Sequence, residues 1–370
     1  MIPIDYVCFV NQTGYAQAAL ANAFALDDSG KYDVRINCIH QKPQGQAFSR
    51  EEYNRIRSLM AKPQNTNAIQ VFHCIPDMHK RVANLRKKIG YATFESFSPP
   101  ARWIAALNRC DAVIAASKFN KNTFENKGVT RPIFHIPHCI DLDRWNDRVD
   151  PLTQHDKFTF LFVGTWRKRK GWDLLLEAWA KEFDEEDGVQ LIIKTDRVDR
   201  AEREARAHLQ QFKKDYAPVL FEKKVLDEKD MPSFFRSADC FICPTLGEGF
   251  GLPAIQSMAI NLPVIITKFS GCCDYADEDR CYVLEPSGFM VHECLDSIPQ
   301  FAAQKWPRIK VTDIREAMRL VIRNKEQNCC KTDRAYDFVQ ENYSYSKIVE
   351  KFDNMMESVY SADVAETTTI

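Results

Sequence analysis

No apolar run in this chain is long enough to cross a membrane. The longest, Thr159–Gly164 and Pro263–Thr267, fall far short of the roughly 18–20 residues that a spanning helix needs. The opening MIPIDYVCFVNQTGY has no basic start and meets Asp5 at once, so no secretory signal is expected. Charge of one sign is not in excess. Fifty Lys and Arg against 51 Asp and Glu leave a net charge of −1, which argues against a protein that coats nucleic acid. Short-period repeats and low-complexity tracts are absent too. What remains is 370 residues, 45% hydrophobic and 27% charged, the balance of a soluble globular protein with two domains of middling size, expected in the cytoplasm or peripherally at a membrane surface.

Thirteen cysteines in a chain expected not to be secreted read as reduced thiols, mostly small hydrophobes inside strands. Cys240 and Cys243 form a C-x-x-C, and His135 and His138 an H-x-x-H. Both pairs lie in β-like runs, where positions i and i+3 point to opposite faces. Redox C-x-x-C pairs open a helix, and structural zinc needs a second pair at matching spacing. No metal site is expected.

Strand and helix alternate almost throughout, the pattern of parallel α/β architecture. In the first half, β-like runs occur at Asp5–Val10, Val34–Ile39, Ala68–Cys74, Asp111–Ala115 and Pro132–Ile136, with helical patterns at Ala16–Ala25 and Lys118–Lys127. The polar stretch Asp147–Lys157 reads as a linker. A second series follows, with strands at Phe158–Val163, Gln190–Lys194, Val219–Glu222, Cys240–Cys243 and Val264–Thr267. Its helices fall at Trp172–Phe183, Ala201–Lys213 and Met231–Arg236, and from Thr312 the chain reads as helices only. The expected domains are 1–150 and 151–340, a terminal helix over 341–360 that packs back on the first domain, and a frayed tail over 361–370. Two such domains suggest a ligand cleft at the C-terminal ends of their strands.

Two post-strand loops carry the chemistry. In DCFICPTLGEGFGLPAIQSMAINLPV a strand ends at Pro244 and a helix opens near Leu252, with Pro253 in its first turn. Gly247, Gly249 and Gly251 let backbone approach a ligand, and Glu248 among them favours a polyhydroxyl ligand, since a carboxylate accepts from adjacent hydroxyls. The bland alternative is a tight strand-to-helix turn. Gly249–Ala254 also fits G-x-G-x-x-A, but the motif follows the fourth strand of its domain, and Glu248 would repel a dinucleotide pyrophosphate. In FLFVGTWRKRKGWDLLLEA the cations Arg167, Lys168, Arg169 and Lys170 follow a strand, which suits a diphosphate; the alternative is a solvated basic loop. Their joint occurrence on one sheet edge favours function.

These segments resemble glycosyltransferase family 4, retaining sugar-nucleotide-dependent enzymes of the GT-B fold. GEGFGLPAIQSMAINLPVI is similar to that family's E-G-F-G-L-P block, FVGTWRKRKGWDLLLEAW to its V-G-…-K-G block, and IPHCIDLDRW to its P-H-G-x-D block. IGYATFESFSPPARWIAALNRCDAVIAASKFNKNTFENKGV resembles the acceptor-side segment of the first domain. The resemblance implies two Rossmann-like domains facing a central cleft, followed by C-terminal helices. It also implies transfer of a hexose-like sugar from a UDP- or GDP-sugar with retention, without a cofactor or an obligatory metal. Lys170 with Arg167 or Arg169 would bind the donor diphosphate and stabilise its leaving charge. Glu248 would hold sugar hydroxyls, and the amides of Gly249, Phe250 and Gly251 would meet sugar or phosphate. Gly14 would fall on the first-domain loop that approaches the diphosphate. His73 matches the family histidine near the transferred sugar, or else is a satisfied core histidine. His138 and the Asp141–Leu142–Asp143 triplet read as structural.

Three positions depart from the family pattern. Gln256 stands where a second glutamate is expected on the donor ribose, Thr165 where an arginine follows the V-G pair, and Cys139 where the third block has glycine. The acceptor is a glycan, a lipid or another group. His79–Lys88 is basic, and Val82, Leu85 and Ile89 share one helical spacing, as in a face that meets an anionic membrane or a phosphorylated acceptor; a solvated face is the alternative. The chain lacks the aromatic–basic interleaving of single-strand grooves, yet a nucleic-acid acceptor stays open. Competing readings are a catalytically silent sugar-nucleotide or glycan-binding protein and a GT-B epimerase or phosphorylase.

Overall fold

The computed structural model describes residues 1–39, 48–79, 87–212 and 215–367. The chain divides into two compact units. The first comprises Met1–Phe94, Ser98–Leu142 and Glu341–Ile370, and the second Glu95–Phe97 and Asp143–Gln340. The change of unit therefore splits the Asp141–Leu142–Asp143 triplet, just ahead of the polar stretch.

The first unit holds one parallel sheet of β1 (Ile2–Cys8), β2 (Tyr32–Cys38), β3 (Ile69–His73), β4 (Lys87–Ala92), β5 (Ala112–Ala115) and β6 (Ile133–His135), in the order β2-β1-β3-β4-β5-β6. Its helices include α1 (Gly14–Asp28), α2 (Arg50–Ala61), α3 (Ala101–Leu107) and α4 (Lys118–Asn126). Strands β3 and β5 are buried along their whole length, as a parallel sheet covered on both faces requires. Asp5, the one charge inside β1, is buried, and its carboxylate accepts from Arg35 Nη1 at 2.6 Å, Asn37 Nδ2 at 3.1 Å and Gln70 Nε2 at 2.9 Å. A buried charge so satisfied is tolerated where an unpartnered one would not be.

Strand β4 corrects one sequence reading. Ile89 lies buried in that strand between β3 and β5 and is on no helical face. Two lysines at the strand's start hid a short apolar run, Ile89–Ala92, from the period-two pattern. Residues 80–86, which include Val82 and Leu85, lie outside the described residues.

The second unit repeats the plan with β7 (Phe158–Val163), β8 (Val189–Lys194), β9 (Val219–Phe221), β10 (Cys240–Cys243), β11 (Val264–Thr267) and β12 (Tyr282–Leu284), in the order β12-β11-β10-β7-β8-β9. An antiparallel hairpin of β13 (Phe289–Cys294) and β14 (Ala302–Pro307) follows. Its helices are α5 (Trp172–Glu182), α6 (Val198–Leu209), α7 (Met231–Arg236), α8 (Leu252–Ala259) and α9 (Val311–Arg323). Two long helices, α10 (Lys325–Tyr343) and α11 (Tyr345–Thr367), end the chain. Asp353 of α11 ties that helix into the first unit by accepting from Lys31 Nζ and the Tyr32 hydroxyl. The helix runs to Thr367, past Ser361, where the loss of apolar periodicity pointed to a frayed tail. Once nucleated, a helix extends over residues such as Ala362, Ala365 and Glu366 at little cost.

Both sheets have a topological switch point, between β1 and β3 in the first unit and between β7 and β10 in the second. Crevices beyond the strand C-termini at such points are where open α/β sheets bind ligands.

Candidate active site

In the second unit the chain leaves β7 at Gly164 and turns through a single helical turn, Lys168–Lys170, into α5. Gly171 closes that turn at φ +72°, and a Cβ there would lie 2.0 Å from the Pro244 carbonyl oxygen. Only glycine permits both the left-handed backbone and this approach of the two post-strand loops. Gly251 plays the same part before α8, at φ +88°, with the Tyr275 hydroxyl 2.1 Å from where a Cβ would stand. The two loops thus meet at the switch point by backbone contact.

Their side chains form one charged cluster. Lys170 Nζ donates to Glu248 Oε1 at 2.6 Å, and the side chains are 12% and 11% exposed. The Thr245 hydroxyl donates to the same oxygen at 3.1 Å. Arg169 Nη1 donates to the Gly247 carbonyl and stands 3.8 Å from Glu248 Oε2. Its Nη2 lies 3.4 Å from Glu95 Oε1, brought in by the short segment after β4. The amides of Gly247 and Glu248 are taken internally, by the hydroxyls of Thr245 at 3.1 Å and Ser270 at 2.8 Å.

The two carboxylates on Arg169 titrate in opposite directions. Burial acts to raise both. For Glu248 the charges of Lys170 and Arg169 and the two hydrogen bonds outweigh it, and the pKa falls below its ordinary value. For Glu95 burial wins over Arg169, Glu248 adds repulsion, and the pKa rises. A pair of carboxyls pushed apart on one cation is a common sign of a functional site.

Of the two arginines considered as partners of Lys170, Arg169 joins it at Glu248, while Arg167 turns away, its Nη1 donating to the Asp296 carbonyl at 3.4 Å. Gln256 lies half-buried on α8, the helix that Gly249, Phe250 and Gly251 lead into. Glu95, Thr245, Ser270 and Asp296 were not singled out in the sequence. Thr245 and Glu95 lay inside the quoted blocks, whereas nothing in sequence spacing links Ser270 or Asp296 to the basic loop.

Gly14 and His73 both lie in the first unit, and Gly14's chain neighbour Tyr15 meets His73. Gly14 opens α1 on the loop after β1, His73 ends β3 and pairs with Cys8 in register, and Tyr15 packs edge-on to His73 with ring centroids 5.2 Å apart. His73 is fully buried, stacked on Tyr91 at 3.8 Å and on His138 at 5.1 Å. Its Nδ1 lies 2.8 Å from the Tyr6 hydroxyl, while Nε2 is buried without a hydrogen-bond partner. Burial, and then His138, hold its pKa well below the ordinary value, so it is neutral. A buried ring nitrogen without a partner calls for a reason, and the geometry leaves both the functional and the core reading of His73 in place. His138 lies 3.1 Å from the Tyr91 hydroxyl through Nδ1, and the Cys139 amide donates to Asn22 Oδ1 at 2.9 Å. Cys240 and Cys243 are buried free thiols on β10.

Residues 157–322 match the glycosyl transferases group 1 family. The matched stretch lies within the second unit. Among curated proteins, mannosylfructose-phosphate synthase of Agrobacterium fabrum is 30% identical over 176 residues, covering 44% of this chain and 38% of its own length. A GDP-mannose-dependent phosphatidylinositol dimannoside mannosyltransferase of Mycobacterium tuberculosis is 25% identical over 179 residues, 46% of this chain and 45% of its own. The chain thus spans less than half the length of these two relatives. Among solved structures, Anabaena HepE with UDP and glucose superposes with a TM-score of 0.69 over 97% of this chain and 100% of its own, at 10% identity. The fold is GT-B, two Rossmann-like units with C-terminal helices.

Proposed function

We propose that the protein is a retaining glycosyltransferase that moves a hexose-like sugar from a UDP- or GDP-sugar to a glycan or lipid-linked acceptor. The observation that carries this reading is the Lys170–Glu248–Arg169 cluster at the β7–β10 switch point, inside a group 1 glycosyl transferase domain. The relative that uses GDP-mannose and the neighbour solved with UDP and glucose support the donor class.

In this reading Lys170 pairs with the donor diphosphate. As the bond between the anomeric carbon and the phosphate oxygen breaks, its electron pair stays on the phosphate, the anomeric carbon bonds the acceptor hydroxyl oxygen, the hydroxyl proton passes to the departing phosphate, and the ammonium group offsets the charge that develops. Glu248, held anionic, accepts hydrogen bonds from sugar hydroxyls and orients the anomeric carbon. Arg169 backs both by holding the Gly247 carbonyl and Glu248 in place. Gln256 bonds a ribose hydroxyl through its amide, and Gly14 and neutral His73 are the first unit's contributions. No metal takes part in this scheme, and side-chain cations do its work. A membrane role for 79–88 has no support beyond its charge, and among the described residues no helix is long and apolar enough to cross a membrane.

The test is release of UDP or GDP from a panel of sugar nucleotides by the wild-type chain and Lys170→Ala. One donor should turn over, and the variant should lose about a hundredfold or more, the scale of one preorganised charge donor. Wild-type inertness towards every UDP- and GDP-sugar, with and without glycan and lipid acceptors, would overturn the reading.

A further inference from the structure

The basic loop does not hold its own shape. Its single turn, Lys168–Lys170, has no capping side chain from its own N-cap residue, Arg167. The cap arrives from the segment between β13 and β14. Asp296 accepts from the Lys168 amide through Oδ1 at 2.6 Å and from the Arg169 amide through Oδ2 at 3.2 Å. One carboxylate therefore satisfies the first two orphan N–H groups of the turn, which is what an N-cap side chain does locally.

Asp296 adopts an uncommon conformation to do so. Its backbone is left-handed, φ 59° and ψ 14°, and Ser297 follows at φ 55°. Two successive non-glycine residues in that region persist only where surrounding contacts fix them. The hairpin and its connecting segment brace the cluster twice more. The Phe301 ring faces the Arg169 guanidinium at 5.6 Å, and Trp306 packs behind Gly247, a ring carbon 3.0 Å from where a Cβ would stand.

We infer that Asp296 is a positioning residue: it clamps the turn that aims Arg169 and Lys170, and the β13–β14 hairpin exists in part to deliver it. The inference rests on the donor reading for its consequence, but not for its geometry. Because Asp296 occupies the loop's amides, anion affinity at this loop comes from side chains and not from backbone N–H groups. Loss of the cap leaves the cations present but unaimed.

Two readouts on the full chain test this, with Asp296→Ala, Asp296→Asn and Asp296→Gly compared to wild type. The first is amide hydrogen exchange at Lys168 and Arg169 without ligand. Exchange should quicken by about tenfold or more in Ala and Gly, and by less in Asn, whose amide oxygen still accepts one bond. Exchange in β7 and β8 should not change, which separates a loosened loop from a misfolded chain. Gly relieves the left-handed backbone without restoring an acceptor, so a glycine variant that protects like wild type would show that conformation and not capping matters. Unchanged exchange in Ala overturns the inference outright.

The second readout is UDP and GDP affinity by calorimetry. Ala and Gly should bind the preferred diphosphate about tenfold more weakly, with Asn in between. Wild-type affinity in Ala despite quickened exchange would reduce Asp296 to a structural residue. If wild type binds neither diphosphate, the donor reading fails, and the exchange result alone decides whether Asp296 holds the loop.

Discussion

Lys170 and Glu248 stand 78 positions apart in the chain, on different loops, yet Nζ and Oε1 are 2.6 Å apart with both side chains nearly buried. Such a pair is weak evidence for stability, because desolvation offsets most of the Coulomb gain. It is better understood as a poised charge arrangement. In the proposed reading the ammonium group meets the donor diphosphate, and the carboxylate keeps it oriented until one binds.

Replacing Glu248 therefore separates sugar binding from diphosphate binding. Glu248→Gln removes the negative charge beside Lys170, so the free nucleoside diphosphate should bind at least as tightly as it does to wild type. The intact sugar nucleotide should lose that advantage, with KM raised by about tenfold as a charge-assisted acceptor is lost. Calorimetry with the diphosphate beside steady-state kinetics with the donor checks the split. Equal losses in both would place Glu248 on the phosphates instead.

Glu95 gives a pH signature. Its pKa is raised by burial against the pull of Arg169, so it takes up a proton as pH falls towards and below that raised value, before the neighbouring Glu248 does. Protonation removes one of two carboxylates that compete for Arg169, so anion affinity should strengthen as pH falls through this window. The diphosphate's own titration near pH 6 opposes the trend, and Glu95→Gln isolates it. That variant should bind UDP or GDP more tightly than wild type at pH 7.5, and the two should converge as pH falls below the raised value of Glu95. A constant ratio across the range would remove Glu95 from the site's electrostatics.

Buried histidines set the acid limit of the fold. Burial lowers His73 well below its ordinary value, His79 to about 4 and His138 to about 3. Each stays neutral when folded but charges when unfolded below about pH 6.5, so the unfolded state binds more protons and stability falls as pH drops. The slope is up to about 1.4 kcal/mol per pH unit for each histidine. Urea unfolding at pH 7, 6 and 5 should show this loss, and His138→Gln should make it shallower by about one histidine's share. An unchanged slope in that variant would mean that His138 is protonated in the fold.

Sequence spacing located the loops but not what holds them. Lys170 and Glu248 were legible because each follows an apolar strand and precedes a helix, so parallel topology had to put both on one edge. Gly171 and Gly251 stood at those turns, though the short backbone approaches that demand glycine appear only in three dimensions. Strand β4 was lost behind two lysines, and the β13–β14 hairpin carries no helical or alternating pattern strong enough to announce itself. Asp296 was illegible for a further reason. It caps a turn more than a hundred residues upstream through contacts that no local motif encodes. Arg167 and Arg169 could not be told apart from a run of four cations, because the choice depends on which side of one turn faces Glu248.

In the proposed reading the second unit binds a nucleoside diphosphate through Lys170. The most direct test of that binding is thermal unfolding with UDP, GDP, ADP and NAD, each with and without Mg²⁺, on wild type and Lys170→Ala. A ligand at a hundred times its Kd stabilises the folded state by about 2.7 kcal/mol, which a melting curve resolves without knowledge of the acceptor. The account predicts a shift with UDP or GDP that needs no metal and largely disappears in Lys170→Ala. A shift with NAD alone, or equal shifts in wild type and variant, would contradict it.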